Sequence, residues 1–129
     1  MATVRSRDTR PELRVRKALH AAGLRYRIHA NLPGKPDLVF PSRRIAVFVH
    51  GCFWHRHPDP ACKLARFPKS RREFWIPKLE GNAKRDTAIQ IELGSRGWNI
   101  IVIWECKTSD PLELARVVDE VRTSPIVAH

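Results

Sequence analysis

Two apolar runs constrain this chain more than anything else in it: Ile45-Ala46-Val47-Phe48-Val49 and Asn99-Ile100-Ile101-Val102-Ile103-Trp104. Neither alternates with polar residues, so each reads as a β-strand covered on both faces rather than one with a wet side. Sheets of that kind need helices to cover them, which makes the chain an α/β protein. Thr9-Arg10-Pro11-Glu12 is a capping box with proline in the first turn, and Leu13, Leu19 and Ala22 follow at helical spacing up to Gly23. Residues 78–96 favour a second helix with Leu79, Ala83, Ile89 and Leu93 apolar. Residues 111–122 read as a closing helix with Leu112, Leu114, Ala115 and Val118 inward. Shorter strands are expected over 25–29 and 37–40, separated by the Asn31-Leu32-Pro33-Gly34 turn. With 129 residues and no repeat, low-complexity tract or linker, the expectation is one domain over 1–129.

The charge balance points to a partner. Lys and Arg number 24 against 13 Asp and Glu, a net charge of +11, and such a field concentrates polyanions and releases their counterions. A membrane is the weaker partner, because no run of about 18 apolar residues is present. The N-terminal residues lack the order of a secretion signal, so a reducing cytoplasm is expected and disulfides are not. That leaves Cys52, Cys62 and Cys106 better suited to metal ligation, with one histidine completing a tetrahedron.

Residues 51–77 carry turn formers and charges without periodicity, and read as a long loop that needs something to hold it. The loop follows His50 with Gly51-Cys52-Phe53-Trp54-His55-Arg56-His57. Imidazoles carry protons or bind metal, thiolates bind zinc, and adjacent rings stack on nucleotide bases. Asp37 starts one strand and His50 ends the next, so both side groups can converge at one sheet edge. Phosphodiester cleavage needs a hard cation and a base for water; Asp37 offers the first an oxygen, and His50 or His55 is the second. Alone, Pro36-Asp37 is an ordinary strand-entry turn, and the nearby histidines shift the reading towards catalysis.

Together, Leu32-Pro33-Gly34-Lys35-Pro36-Asp37, Phe48-Val49-His50-Gly51-Cys52-Phe53-Trp54-His55, Phe74-Trp75, Asn82 with Arg85-Asp86, Gly97-Trp98 and Trp104-Glu105-Cys106 resemble the very short patch repair (Vsr) endonucleases. The likeness runs from about Arg5 to Lys107. It implies a restriction-endonuclease-like fold of the PD-(D/E)xK type, a central mixed sheet flanked by helices, with a zinc-stabilised loop. It also implies Mg²⁺-dependent nicking of double-stranded DNA beside a T·G mismatch left by deamination of 5-methylcytosine, by a monomer of the bacterial cytoplasm acting at the nucleoid. By matched position, Asp37 and the Val49 carbonyl would hold Mg²⁺, Val49 standing where better-known members have threonine. His55 would be the general base, His50 would organise water or phosphate, and Glu12 would support the metal's waters or serve only its capping box. Cys52, His57, Cys62 and Cys106 would hold Zn²⁺, across a His57-to-Cys62 interval lengthened by Pro58-Asp59-Pro60-Ala61. Phe53, Trp54 and Trp75 match wedge residues that open the stack at the mismatch, where a wobble pair lowers the cost of unstacking.

Lys35, Arg66, Lys69, Arg71 and Arg72 are expected to grip phosphates, whereas Trp98 and Trp104 adjoin an apolar strand and are expected in the core. The arm before Asp8 is shorter than the family's, an expectation of relaxed affinity or mismatch demand. A runner-up reading is a restriction-like nuclease acting on matched or modified DNA. A further one is a noncatalytic zinc-containing module that binds distorted DNA.

Overall fold

The computed structural model describes residues 9–66 and 69–126. The expectation about the N-terminal arm therefore lies outside the described residues. The elements run α1 (Arg10–Ala21), β1 (Leu38–Phe40), β2 (Ile45–His50), α2 (Arg72–Ser95), β3 (Asn99–Trp104) and α3 (Pro111–Thr123), with short 3₁₀ turns at Pro41–Arg43, Lys63–Ala65 and Glu105–Lys107.

The strands form one mixed sheet with β2 in the centre, antiparallel to β1 and parallel to β3. A parallel pair needs a crossover, and α2 supplies it, so β2 and β3 end together with His50 beside Trp104. Ile45 and Val47 of β2 pack with Leu38, Phe40, Ile101 and Ile103 against Val15 and Leu19 of α1 and Val117 and Val121 of α3. Ala46 and Phe48 turn to the other face, where they cluster with Val39 and with Leu93 of α2. Because helices cover both faces, the β2 run is apolar at nearly every position. Asp110 caps α3 by accepting from the Leu112 amide at 2.9 Å, with Pro111 in the first turn.

Several sequence expectations shift. The 25–29 segment reaches the sheet only through a bridge between Arg27 and Val39, because His29 takes a left-handed φ of 59° that ends the extended run. The second helix starts at Arg72 rather than Lys78: Pro77 lies inside it near the start, where its missing N–H deletes a single bond to the Glu73 carbonyl. The unstructured stretch is correspondingly shorter than 51–77. On α1 the core face is Val15 and Leu19, and Leu13 is 47% exposed; on α3 it is Leu114, Val117, Val118 and Val121, and Leu112 is 80% exposed. In α3 a run of apolar residues offers more than one 3.6-residue phase, and packing on the sheet selects one.

Gly34 fixes the approach to the site. Its φ is +74°, and a Cβ there would stand 2.4 Å from Cγ2 of Ile89 on α2. Gly34→Ala therefore combines backbone strain with a clash in the packed seam that sets Lys35 and Asp37, and should lower the unfolding free energy by about 1–3 kcal/mol in a denaturant melt. An unchanged melt would show that the loop is free to move away from α2.

Candidate active site

The end of β2, the entry to β1, the start of α1 and one face of α2 surround a cavity of about 550 Å³, lined by Glu12, Lys35, Asp37, His50, His55 and Asp86 among others. At its floor Asp37 lies just before β1, and its Oδ2 accepts the Val49 amide of β2 at 2.6 Å. The N–H and C=O of one residue lie on the same side of an extended strand. The Val49 carbonyl therefore leaves β2 on the same edge as its amide, the edge that faces the entry to β1. Glu12, 4% exposed, comes in from α1 and pairs with Arg16 at 3.5 Å. Burial, and then the hydrogen bond and charge of Glu12, push Asp37 up to about 7 against the help of the Val49 amide. Buried carboxyls facing each other at that cost suit a cation that neutralises them. The Thr9 hydroxyl also accepts the Glu12 amide at 3.4 Å, so the backbone of Glu12 takes part in the cap while its carboxyl lines the cavity.

Across the cavity the imidazoles of His50 and His55 stack at 4.1 Å and 6°. His50 is 4% exposed, and its Nδ1 has no hydrogen-bond partner among the described residues. Burial, then the charge of His55, brings it down to about 4, so it stays neutral in use. His55 Nδ1 meets Asp86 Oδ2 at 2.5 Å, which favours the proton on Nδ1 and leaves Nε2 as the basic nitrogen. Asp86 had no role in the sequence reading. The available signal was helical: Asn82, Asp86, Ile89 and Gln90 fall on one face of α2. Asn82 donates to the Trp54 carbonyl at 3.3 Å, and the other residues line the cavity. His50, His55 and Asp86 also place ligand atoms within 4.8 Å of one another.

Behind the cavity, Cys52, His57, Cys62 and Cys106 bring their ligand atoms within the same 4.8 Å limit. The lengthened interval is absorbed by a turn in which Cys62 N–H donates to the Asp59 carbonyl at 3.0 Å and Ala61 N–H to the Asp59 carboxylate at 2.9 Å. Burial pushes the Cys52 thiol up to about 12 and raises Cys106 as well. A soft divalent ion reverses that shift by holding the thiolates, and three sulfurs with one imidazole form a donor set of the structural-zinc kind.

Trp104 does not belong to the core. It is half-buried, stacks on His57 at 4.6 Å and meets His50 edge-on at 5.1 Å, so it separates the cavity from the thiol cluster. Trp98 packs against the α2-side core, as expected. Phe53, Trp54 and Trp75 gather edge to face, with centroids 5.1 to 5.9 Å apart. Phe74 joins Trp75 at 5.1 Å and is 44% exposed, a fourth ring that the sequence reading left out of the wedge. The Arg71 guanidinium sits 4.8 Å over Phe74, and the Lys78 ammonium 5.5 Å from it. Lys35, Arg66, Lys69, Arg71 and Arg72 are all exposed, with Lys35 on the cavity rim. Among the described residues, no helix is long and apolar enough to cross a membrane.

Comparison with known proteins bears on this arrangement. The model of a family described as DNA mismatch endonuclease Vsr matches residues 1–61, which hold Glu12, Asp37, His50 and His55. The chain is 50% identical over 111 residues to the type II nicking enzyme V.XorIIP of Xanthomonas oryzae pv. oryzae, covering 85% of this chain and 79% of that one. It is 38% identical over 127 residues to the type II nicking enzyme V.NmeAIP of Neisseria meningitidis, covering 95% and 89%. It is 40% identical over 107 residues to the DNA mismatch endonuclease Vsr of Escherichia coli, covering 82% and 67%.

Proposed function

The chain belongs to the Vsr family of DNA mismatch endonucleases, and from that premise we propose that it is a Mg²⁺-dependent enzyme nicking one DNA strand beside a T·G mismatch, as in repair of deaminated 5-methylcytosine. That it is a DNA endonuclease follows from the family and its relatives. The observation that carries the finer reading is the meeting of Asp37, His50 and the His55–Asp86 pair in one cavity of a strongly basic chain. The mixed sheet with helices on both faces fits the restriction-endonuclease-like class, as one domain over 1–129.

Asp37 and the Val49 carbonyl would hold Mg²⁺, which supplies charge neutralisation at the phosphate. His55 Nε2 takes a proton from a water, Asp86 holds that ring, and the hydroxide attacks phosphorus in line as the P–O bond to the leaving sugar oxygen breaks, that oxygen taking a proton from a second water to leave as the alcohol. His50, neutral and buried, offers Nδ1 to a phosphate oxygen. Glu12 sits where it can accept from water. The aromatic rings select by deformability, since entering the stack costs less at a wobble pair than at a matched one, while the exposed cations named above grip phosphates.

Cys52, His57, Cys62 and Cys106 would hold a structural Zn²⁺. Elemental analysis should find one zinc per chain, and Cys106→Ser should lose it and lower stability by about 2 kcal/mol or more. A zinc-free chain with an unchanged melting temperature would refute that assignment.

A single assay tests the function: nicking of T·G, matched and methylated duplexes under Mg²⁺. Strong preference for T·G is expected. Equal cutting of matched or methylated DNA would move the enzyme to the restriction-like reading, and tight binding without cutting under Mg²⁺ or Mn²⁺ would leave only a binding module.

A further inference from the structure

The turn from Gly51 to His57 carries residues of three groups described above: the base, the thiol cluster and the aromatic wedge. It is closed by His55 N–H to the Gly51 carbonyl and His57 N–H to the Cys52 carbonyl, both at 3.0 Å. His55 leaves it towards Asp86, Cys52 and His57 leave it towards the thiol cluster, and Phe53 and Trp54 leave it towards Trp75. A shift of this turn would therefore move the base, the metal ligands and the wedge together.

The Cys52 amide at the mouth of this turn needs an acceptor once it is half-enclosed, and Glu105 supplies it. The Cys52 N–H donates to Glu105 Oε1 at 3.3 Å. Glu105 opens the 3₁₀ turn that follows β3, and that turn is held in place: the Thr108 hydroxyl donates to the Glu105 carbonyl at 2.8 Å, and Arg14 of α1 donates to the Thr108 hydroxyl at 3.2 Å. The next residue's amide, Cys106 N–H, donates to Cys52 Sγ at 3.4 Å. Glu105 is also half-buried and lines the catalytic cavity, 3.8 Å from where a Gly51 Cβ would stand. A carboxylate in a cavity meant for a phosphodiester repels the substrate, so its presence calls for a compensating task. The thiol cluster holds the turn through its side chains. The Glu105 bond holds the backbone itself.

We infer that Glu105 is a positioning residue: by capping the Gly51–His57 turn from the end of β3, it sets His55 against Asp37 and so sets the rate of the cleavage step. This rests on the nicking activity proposed above. The test compares wild type, Glu105→Ala and Glu105→Gln for single-turnover nicking of a T·G duplex, duplex affinity, zinc content and hydrogen exchange of the Cys52 amide. Glu105→Ala should slow the single-turnover rate about 10-fold to 100-fold, the scale of a misplaced reactive group. Zinc content and duplex affinity should hold, and the Cys52 amide should exchange faster. Glu105→Gln keeps an oxygen acceptor and should restore both rate and protection. The inference is overturned if Glu105→Ala leaves the rate or the exchange unchanged, if it loses zinc along with rate, or if Glu105→Gln is as damaging as Glu105→Ala. A wild type that does not nick would defeat the functional reading instead, while the exchange comparison would still decide whether Glu105 holds the turn.

Discussion

Asp37→Asn should lose nicking by about 10³-fold or more, because it removes the only charged ligand proposed for Mg²⁺ and with it several kcal/mol of transition-state stabilisation. The same change should make the metal-free protein more stable at pH 8. Asp37 is raised from 3.8 to about 7, first by burial and then by Glu12, so the folded state binds this proton more tightly than the unfolded chain does. Metal-free stability is therefore full below about pH 4 and declines as pH rises towards 7. Asparagine is neutral throughout and escapes that loss, a gain on the order of 1 kcal/mol in a denaturant melt. Activity and stability moving in opposite directions cannot come from misfolding. If nicking survives in Asp37→Asn, or disappears only because the variant unfolds, the metal assignment fails.

His55→Ala should reduce the single-turnover rate by about 10²-fold to 10⁴-fold, the usual contribution of a positioned base, with duplex affinity within about threefold of wild type. Asp86→Asn should fall between the two. It keeps the shape of the contact at 2.5 Å but can present an N–H to the ring, which favours the wrong tautomer. Rates measured at saturating duplex separate these outcomes from binding. A His55→Ala rate equal to wild type would transfer the base role elsewhere, and an Asp86→Asn loss larger than that of His55→Ala would make Asp86 the more direct participant.

Much of this architecture is legible because two apolar runs and one capped helix are local signals. The β2 and β3 runs point to an α/β sheet, and Thr9 with Glu12 marks where α1 starts. Boundaries depending on tertiary contact were not legible. Pro77 reads as a helix breaker, yet so near the start of α2 it costs a single backbone bond, and the 25–29 segment alternates like a strand although His29 turns it away after one bridge. In the site, Asp37, His50 and His55 are legible from their chemistry and spacing, and the family likeness adds Glu12, Trp75 and Cys106 from elsewhere in the chain. Asp86 from α2 and Glu105 from the end of β3 belong to motifs of that likeness but carry no legible task in the sequence; the fold supplies it by bringing them to His55 and Cys52. Trp104 reads as core because it ends an apolar run. The parallel register carries it to His50, and the loop returns His57 against its other side.

The central claim is that a hard divalent ion and the two imidazoles meet a phosphodiester at the end of β2. Crystals of the chain with an uncleaved T·G duplex, soaked in Mn²⁺ as a stand-in for Mg²⁺, test it most directly. An anomalous peak bonded to the Asp37 carboxylate and the Val49 carbonyl is expected, with His55 facing the scissile phosphate. A peak held elsewhere, or a phosphate bound away from Asp37 and both histidines, would contradict it.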